Sequence, residues 1–212
     1  MYKELHLWAN SLRRYSFDEI GKLSRVANGI YLVFEKGEKF EDLDKIVRVG
    51  SHPSPNRFFK RLNDHFMGHQ RQSIMRKHVG RCFLNKSGDP YIAVWNLTNS
   101  GVKKGSEGEK LVDRKKEQLL EGQIDDYLTN FSMAVIPNLG DTTKRIQIET
   151  SLIAMLAQES SLHISKEWLG LHHPDSKISK GGLWNIQGLN RPNILSENDF
   201  HFIREKSKNE QA

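Results

Sequence analysis

Short runs of β-forming residues alternate with stretches whose apolar positions recur every three or four residues, which predicts a sheet covered by helices. Residues 30–34, 46–49 and 131–136 have strand composition, and the last run is ended by Pro137. We expect the first two runs to pair as an antiparallel hairpin with a long charged connection. The predicted fold class is α/β (α+β), a small mixed three-stranded sheet flanked by helices.

The helix predicted after Ser54 and Pro55, a hydroxyl N-cap followed by proline, carries two stripes of period four. One stripe is apolar and consists of Phe58, Leu62 and Phe66. The stripe beside it is cationic or titratable and consists of Arg57, Arg61 and His65. This helix therefore buries its aromatic residues and presents two arginines and a histidine along a neighbouring edge.

Further along the chain, a second long helix is predicted to open at Asp141 or Thr142, and it places Glu149 beside its apolar face. Residues 91–95 also have strand composition, and residues 98–109 are typical of a flexible surface loop. A short terminal helix is expected to begin behind Ser196.

Composition narrows the class of protein. The 212 residues are 37% hydrophobic, which is enough for a core, and no apolar run approaches the ~18–20 residues of a membrane span. The start of the chain has no secretory-signal pattern, and the single Cys82 allows no internal disulfide. We therefore expect a cytoplasmic protein without membrane segments. The net charge of +6 favours a polyanionic partner only weakly.

The candidate chemical residues are ambiguous when each is taken alone. A divalent cation could compensate the Glu149 carboxylate at the apolar edge, or Glu149 could be a helix former paired to Arg145. Arg61 and His65 could bind a phosphate and move a proton, or they could belong to a solvated helix face with Asp64 as partner. Tyr31, in the first strand, is by itself typical of a core phenol.

Taken in order, these residues resemble the GIY-YIG nuclease domain. The first strand carries Gly29-Ile30-Tyr31, and the second ends in Arg48-Val49-Gly50. Next come the helix with Arg61 and His65 and a later helix with Glu149, all within residues 28–160. The resemblance implies an N-terminal helical extension at 1–27, a helical insertion at about 68–129 and a C-terminal wrap at 161–212 on the same domain.

The resemblance also implies roles for these residues. Tyr31 would orient or deprotonate the attacking water, Arg61 would neutralise phosphoryl charge, and His65 would assist proton transfer. Glu149 would hold one Mg²⁺ or Mn²⁺, and one carboxylate suffices because Mg²⁺ keeps waters and takes phosphates as ligands. Gly29 and Gly50 are the motif glycines. The implied activity is a metal-dependent DNA endonuclease of the restriction or defence type.

Two positions depart from the family pattern. Arg48 stands where the family has its second tyrosine; it cannot be a phenolic base, but it can contact phosphate. The family's asparagine after the glutamate is missing, and Asn185 is a late substitute for it. The alternative is therefore a non-catalytic nucleic-acid-binding module on the same fold.

The predicted partner is double-stranded DNA, and cutting both strands would require a homodimer or two successive events. Basic side chains suited to phosphate contacts lie in or near the predicted helices. They are Arg48, Arg57, Lys60, Arg71, Arg76, Lys77 and Arg81. Three late histidines, His163, His172 and His173, lack the cysteine or spaced acidic ligands of a zinc site, so we predict packing or surface roles for them.

Overall fold

A computed structural model describes residues 1–208 of the chain. The strands are β1 (Tyr15–Ser16), β2 (Gly29–Phe40), β3 (Leu43–Gly50) and β4 (Phe131–Pro137). The α-helices are α1 (Tyr2–Ser11), α2 (Phe58–Phe66), α3 (Ile74–Lys86), α4 (Ile92–Trp95), α5 (Glu107–Leu111), α6 (Arg114–Leu128), α7 (Thr142–Glu159), α8 (Ser176–Ser179) and α9 (Glu197–Lys208). Short 3₁₀ helices cover Phe17–Leu23, Ser160–His163 and Leu169–His172.

The sheet has the strand order β1-β4-β2-β3, and each neighbouring pair is antiparallel. The predicted α/β class, a sheet flanked by helices, is confirmed. The sheet is, however, antiparallel rather than mixed, and it gains a fourth strand because Tyr15 and Ser16 pair with β4. Tyr31 on the central β2 lies opposite Gly50 on β3 and Val135 on β4.

The β2–β3 hairpin is longer and tighter than predicted. Only Glu41 and Asp42 connect the strands, and Glu41 has a φ of 52°. The expected long charged loop is wrong because Glu35 and Glu38 are buried and have hydrogen-bond donors as partners. A buried carboxylate with partners can remain in a strand, whereas one without them would not.

The two faces of the sheet are covered by different parts of the chain. Tyr31 and Val33 face a core that includes residues of α2, α3 and α6. Ile30, Leu32 and Phe34 face the opposite core, built with α1, α7 and α9. Helices α1 and α9, near the two ends of the described chain, are thus part of the second of these cores.

Two local predictions were wrong, and others were right. Helix α2 begins at Phe58, because the preceding segment turns at Asn56, which has a φ of 58°. Residues 92–95 form helix α4, whose Trp95 packs where a Cβ at Gly80 would otherwise lie. Capping was predicted correctly at Asp141, which accepts from the Lys144 N–H, and at Ser196. Among the helices of residues 1–208, none combines the length and apolar character needed to cross a bilayer.

Candidate active site

Tyr31 lies at the end of the sheet where β2 begins and β3 stops. Its side chain is buried, and its hydroxyl lies directly over Gly50 on the neighbouring strand. A Cβ at Gly50 would overlap that hydroxyl, and a Cβ at Gly29 would come within 2.7 Å of the Ile136 carbonyl oxygen. Both motif glycines are therefore explained by close approach rather than by an unusual backbone conformation.

His65 meets Tyr31 from helix α2. The two ring centroids are 5.9 Å apart, and His65 Nδ1 lies 2.6 Å from the Ser73 hydroxyl. Within residues 1–208, the Tyr31 hydroxyl and His65 Nε2 have no hydrogen-bond partner although both are buried. Buried polar atoms without partners are uncommon, so this pair is a candidate contact for a water or a substrate oxygen.

The surroundings of His65 keep its imidazole neutral near pH 7. Burial lowers its pKa well below the ordinary value, and the positive charges of Arg48, Arg61 and Arg76 lower it further. Either nitrogen can carry the single proton of a neutral imidazole, and the other is then free to accept one.

Helix α2 also borders an open groove. The groove has a volume of about 300 Å³ and is lined by His52, Pro53, Ser54, Pro55, Arg57, Lys60, Arg61 and Asp64. Lys60 is 2.9 Å from Asp64, whereas the Arg57 and Arg61 side chains have no ion-pair partner among residues 1–208. Two uncompensated guanidinium groups beside a groove are suited to receiving phosphate.

Glu149 reaches the same strand end from helix α7. One carboxylate oxygen accepts the Ser51 backbone N–H at 3.1 Å, and the other accepts the Ser51 hydroxyl. Arg145 is not its partner, because that guanidinium donates to His52, Leu139, Gly140 and Thr142 oxygens instead. The direct ion pair of Glu149 with Arg145 that the sequence left open is therefore not formed, although the negative charge of Glu149 partly offsets the lowering of the Arg145 pKa by burial.

The side chains near Glu149 limit which metal ion could bind there. The described part of the chain has no cluster of three or more His, Cys, Asp or Glu side chains arranged for a metal. Glu149 would offer one carboxylate, a hard oxygen donor with free lone pairs. This fits an ion such as Mg²⁺, which takes its remaining ligands from water and phosphate, and does not fit a closed zinc site.

Arg48 shares the face of the sheet that carries Tyr31, but it is committed elsewhere. It is buried opposite Val33, and its Nη1 donates to the Trp184 carbonyl. Asn185, the next residue, accepts the Val49 N–H at 3.1 Å and donates to the Val49 carbonyl at 2.9 Å. The Asn185 amide is thus used to pair the edge of β3, directly before Gly50.

Most of the other predicted DNA contacts are held by protein partners. Arg76 is buried, and its guanidinium lies 2.7 Å from Glu121 and 2.6 Å from Asp125. Three more are partly buried: Arg71 pairs with Glu117, Lys77 donates to two carbonyls, and Arg81 donates to Asn96. A buried, ion-paired guanidinium such as that of Arg76 has no free face for a phosphate.

His173, one of the three late histidines, is buried against His78. His173 Nδ1 accepts the Asp175 N–H, so its Nε2–H is the donor toward His78 Nδ1, 3.0 Å away. Trp168 and Trp184 both donate to buried Glu35. The histidine contact holds the segment after α7 against α3, and the two tryptophans hold it against β2.

Ser51 and His52 lie at the site but were missed by sequence reasoning. The His52 Nε2 accepts the Gly29 N–H at 3.3 Å, and its Nδ1–H donates to the Ser54 carbonyl, which ties β2 to the turn after β3. Burial lowers the pKa of His52, which favours this neutral form. The only available signal was their position directly after Gly50.

Comparison with known proteins identifies the family of the chain. A family model described as the GIY-YIG domain matches residues 3–200, most of the chain. No curated protein and no solved structure gives a significant match. GIY-YIG domains are a nuclease family, generally endonucleases acting on DNA and typically dependent on a divalent metal. The chain, with its two motif glycines packed against Tyr31 and β4, belongs to the GIY-YIG domain family.

Proposed function

We propose that the chain is a divalent-metal-dependent endonuclease that hydrolyses phosphodiester bonds in duplex DNA, within a restriction or defence system. The observation that carries the proposal is the convergence at one strand end. Tyr31 and His65 are in contact there, and Gly50 beneath Tyr31 is followed directly by Ser51, the partner of Glu149. The groove with Arg57 and Arg61 opens beside them.

The residues divide the work of hydrolysis. Tyr31 would orient the attacking water, and His65, held neutral, would accept its proton. Arg61 would stabilise negative charge that develops on the phosphoryl oxygens. Glu149 would hold Mg²⁺ or Mn²⁺, an ion that polarises the phosphate and stabilises the leaving oxygen when bound. Arg57 and Lys60 would bind phosphates of the DNA backbone.

The first test removes the metal ligand. We expect Glu149→Gln to lower single-turnover cleavage of duplex DNA in Mg²⁺ by roughly a thousandfold or more, because a stabilisation of several kcal/mol is lost. EDTA should abolish wild-type cleavage, and thermal unfolding of the variant should remain close to wild type. Exposed Glu167, changed to Gln, is the matched control and should cleave normally. Undiminished cleavage by Glu149→Gln would remove Glu149 from the proposal.

A non-catalytic nucleic-acid-binding module on the same fold is the second candidate. The burial of the Tyr31 hydroxyl and His65 Nε2 in the free protein favours it, as does the engagement of Arg48 by Trp184. Saturable binding of DNA without cleavage, across varied duplexes and both Mg²⁺ and Mn²⁺, would establish this module and reject the enzyme.

The defence role has its own test. A nuclease that cuts particular sequences requires protection of the host DNA. We therefore expect a DNA methyltransferase to be encoded beside this chain and methylated target DNA to resist cleavage. Equal cleavage of methylated and unmethylated DNA would separate the endonuclease activity from restriction.

A further inference from the structure

Ser51 contacts the carboxylate of Glu149 through two different donors. Its backbone N–H lies 3.1 Å from one oxygen, and its hydroxyl donates to the other. These are the hydrogen bonds that the Glu149 carboxylate makes with the rest of residues 1–208. A glutamate side chain on a helix has several rotamers, and a two-point contact selects one of them.

The contact also determines where the carboxylate lies relative to the rest of the site. Ser51 is 7% exposed and directly follows Gly50, over which the Tyr31 hydroxyl lies. Glu149 is on α7, which packs against the opposite face of the sheet from Tyr31 and His65. Ser51 therefore connects the two parts of the site. It is bonded through the backbone to Gly50, beneath Tyr31, and by hydrogen bonds to the Glu149 carboxylate.

The contact leaves Glu149 able to act as a ligand. An ionised carboxylate has about four lone-pair directions, and Ser51 uses one on each oxygen. The partners of ligating carboxylates typically orient them, and their loss costs about 10–100-fold in metal affinity.

We propose that Ser51 is a positioning residue whose hydroxyl orients the Glu149 carboxylate to receive a divalent cation at the end of β3. This inference rests on the proposed function, since it concerns the metal ligand of that site. Ser51 acts through Glu149 and is not assigned a contact with substrate.

The test measures metal binding directly as well as cleavage. Mn²⁺ binding to the full chain is followed by electron paramagnetic resonance, without DNA, in wild type, Ser51→Ala, Ser51→Thr and Glu149→Gln. We expect Ser51→Ala to weaken Mn²⁺ binding about tenfold and to raise the Mg²⁺ concentration for half-maximal cleavage by a similar factor. Ser51→Thr, which keeps the hydroxyl, should restore both values. Exposed Ser24, changed to Ala, is the matched control.

The outcomes separate this inference from the proposed function. Mn²⁺ binding by Ser51→Ala that equals wild type, while Glu149→Gln has lost it, overturns the role of Ser51 and leaves the metal site in place. Wild-type binding that does not depend on Glu149 rejects the proposed metal site itself. A loss in Ser51→Ala that Ser51→Thr does not restore also overturns the inference, because the hydroxyl would then not be the cause.

Discussion

Arg57 and Arg61 are one helical turn apart and lack ion-pair partners within residues 1–208, yet their surroundings differ. Arg57 is exposed at the start of α2, whereas Arg61 is partly buried and close enough to His65 to lower its pKa. A cation beside the reacting group contributes mainly when charge develops, and a peripheral cation contributes equally to ground state and transition state. Under the proposed function, we therefore expect Arg57 and Arg61 to make separable contributions.

We expect Arg61→Ala to lower the single-turnover cleavage rate about 100-fold or more while weakening DNA binding less than about tenfold. Arg57→Ala, the matched control in the same helix, should weaken binding and leave the rate at saturating enzyme near wild type. Rates from quenched reactions and dissociation constants from anisotropy in Ca²⁺ would measure the two effects. Equal losses in rate and binding for Arg61→Ala would show that this residue contributes to DNA binding and not specifically to the transition state.

Some residues of the candidate site could be picked out from the sequence because they lie in elements with clear local patterns. Tyr31, Arg61 and His65 lie in regular elements whose period was readable, so their order along the chain was informative. The partner of Arg48 was not predictable, because the Trp184 carbonyl that it contacts lies 136 positions away and belongs to no regular element. The same holds for Ser51, whose position relative to Glu149 depends on how α7 packs on β3.

At the scale of elements, Glu35 joins three parts of the chain. It accepts hydrogen bonds from Tyr127 on α6, from Trp168 and from Trp184, while its own backbone belongs to β2. Burial raises the pKa of Glu35 to about 7, and the three donors only partly offset this. The carboxyl group thus titrates near neutral pH inside the protein.

The raised pKa of Glu35 determines how its contribution to folding stability changes with pH. The folded pKa, about 7, exceeds the ordinary value of 4.5, so the folded state binds more protons between these limits. The favourable contribution of Glu35 is fully present below pH 4.5 and is lost as pH rises through 7. Glutamine imitates the protonated carboxyl group but does not titrate.

We therefore expect the stability of Glu35→Gln relative to wild type to rise by about 2 kcal/mol between pH 5 and pH 8. Urea unfolding of both proteins across this range would measure the difference, and comparing the two removes the contribution of the other titrating groups. Exposed Glu167→Gln, in the same segment as Trp168, should run parallel to wild type. Parallel curves for Glu35→Gln would show that the carboxyl group is not perturbed in the folded state.

The Glu35 cluster also explains which elements were misjudged. Residues 35–39 looked like a loop because charged residues are rarely buried, and the compensating tryptophans lie more than 130 positions away. Residues 91–95 looked like a strand because their composition is aromatic and β-branched, but the turn of helix is fixed by Trp95 packing on Gly80. Capped helices such as α7 were predictable because their start signals are local.

At the scale of the whole molecule, the net charge of +6 is a poor guide to DNA affinity. Several cations are occupied by carboxylates, as Arg76 is by Glu121 and Asp125. Others are exposed, among them Arg57 beside the groove and Lys103 and Lys104 in the loop before α5. Binding should depend on where the exposed cations lie rather than on their total number.

Salt dependence tests this distribution. Each phosphate neutralised by the protein contributes a slope of about −0.9 to the logarithm of the binding constant against the logarithm of salt concentration. We expect Arg57→Ala to reduce the magnitude of the slope by about one, because a phosphate contact at the groove is lost. Arg204, exposed on α9, is the control; its helix packs on the opposite face of the sheet, so Arg204→Ala should leave the slope unchanged. If instead Arg204→Ala changed the slope and Arg57→Ala did not, the DNA path would run across the α9 face, away from Tyr31 and the groove.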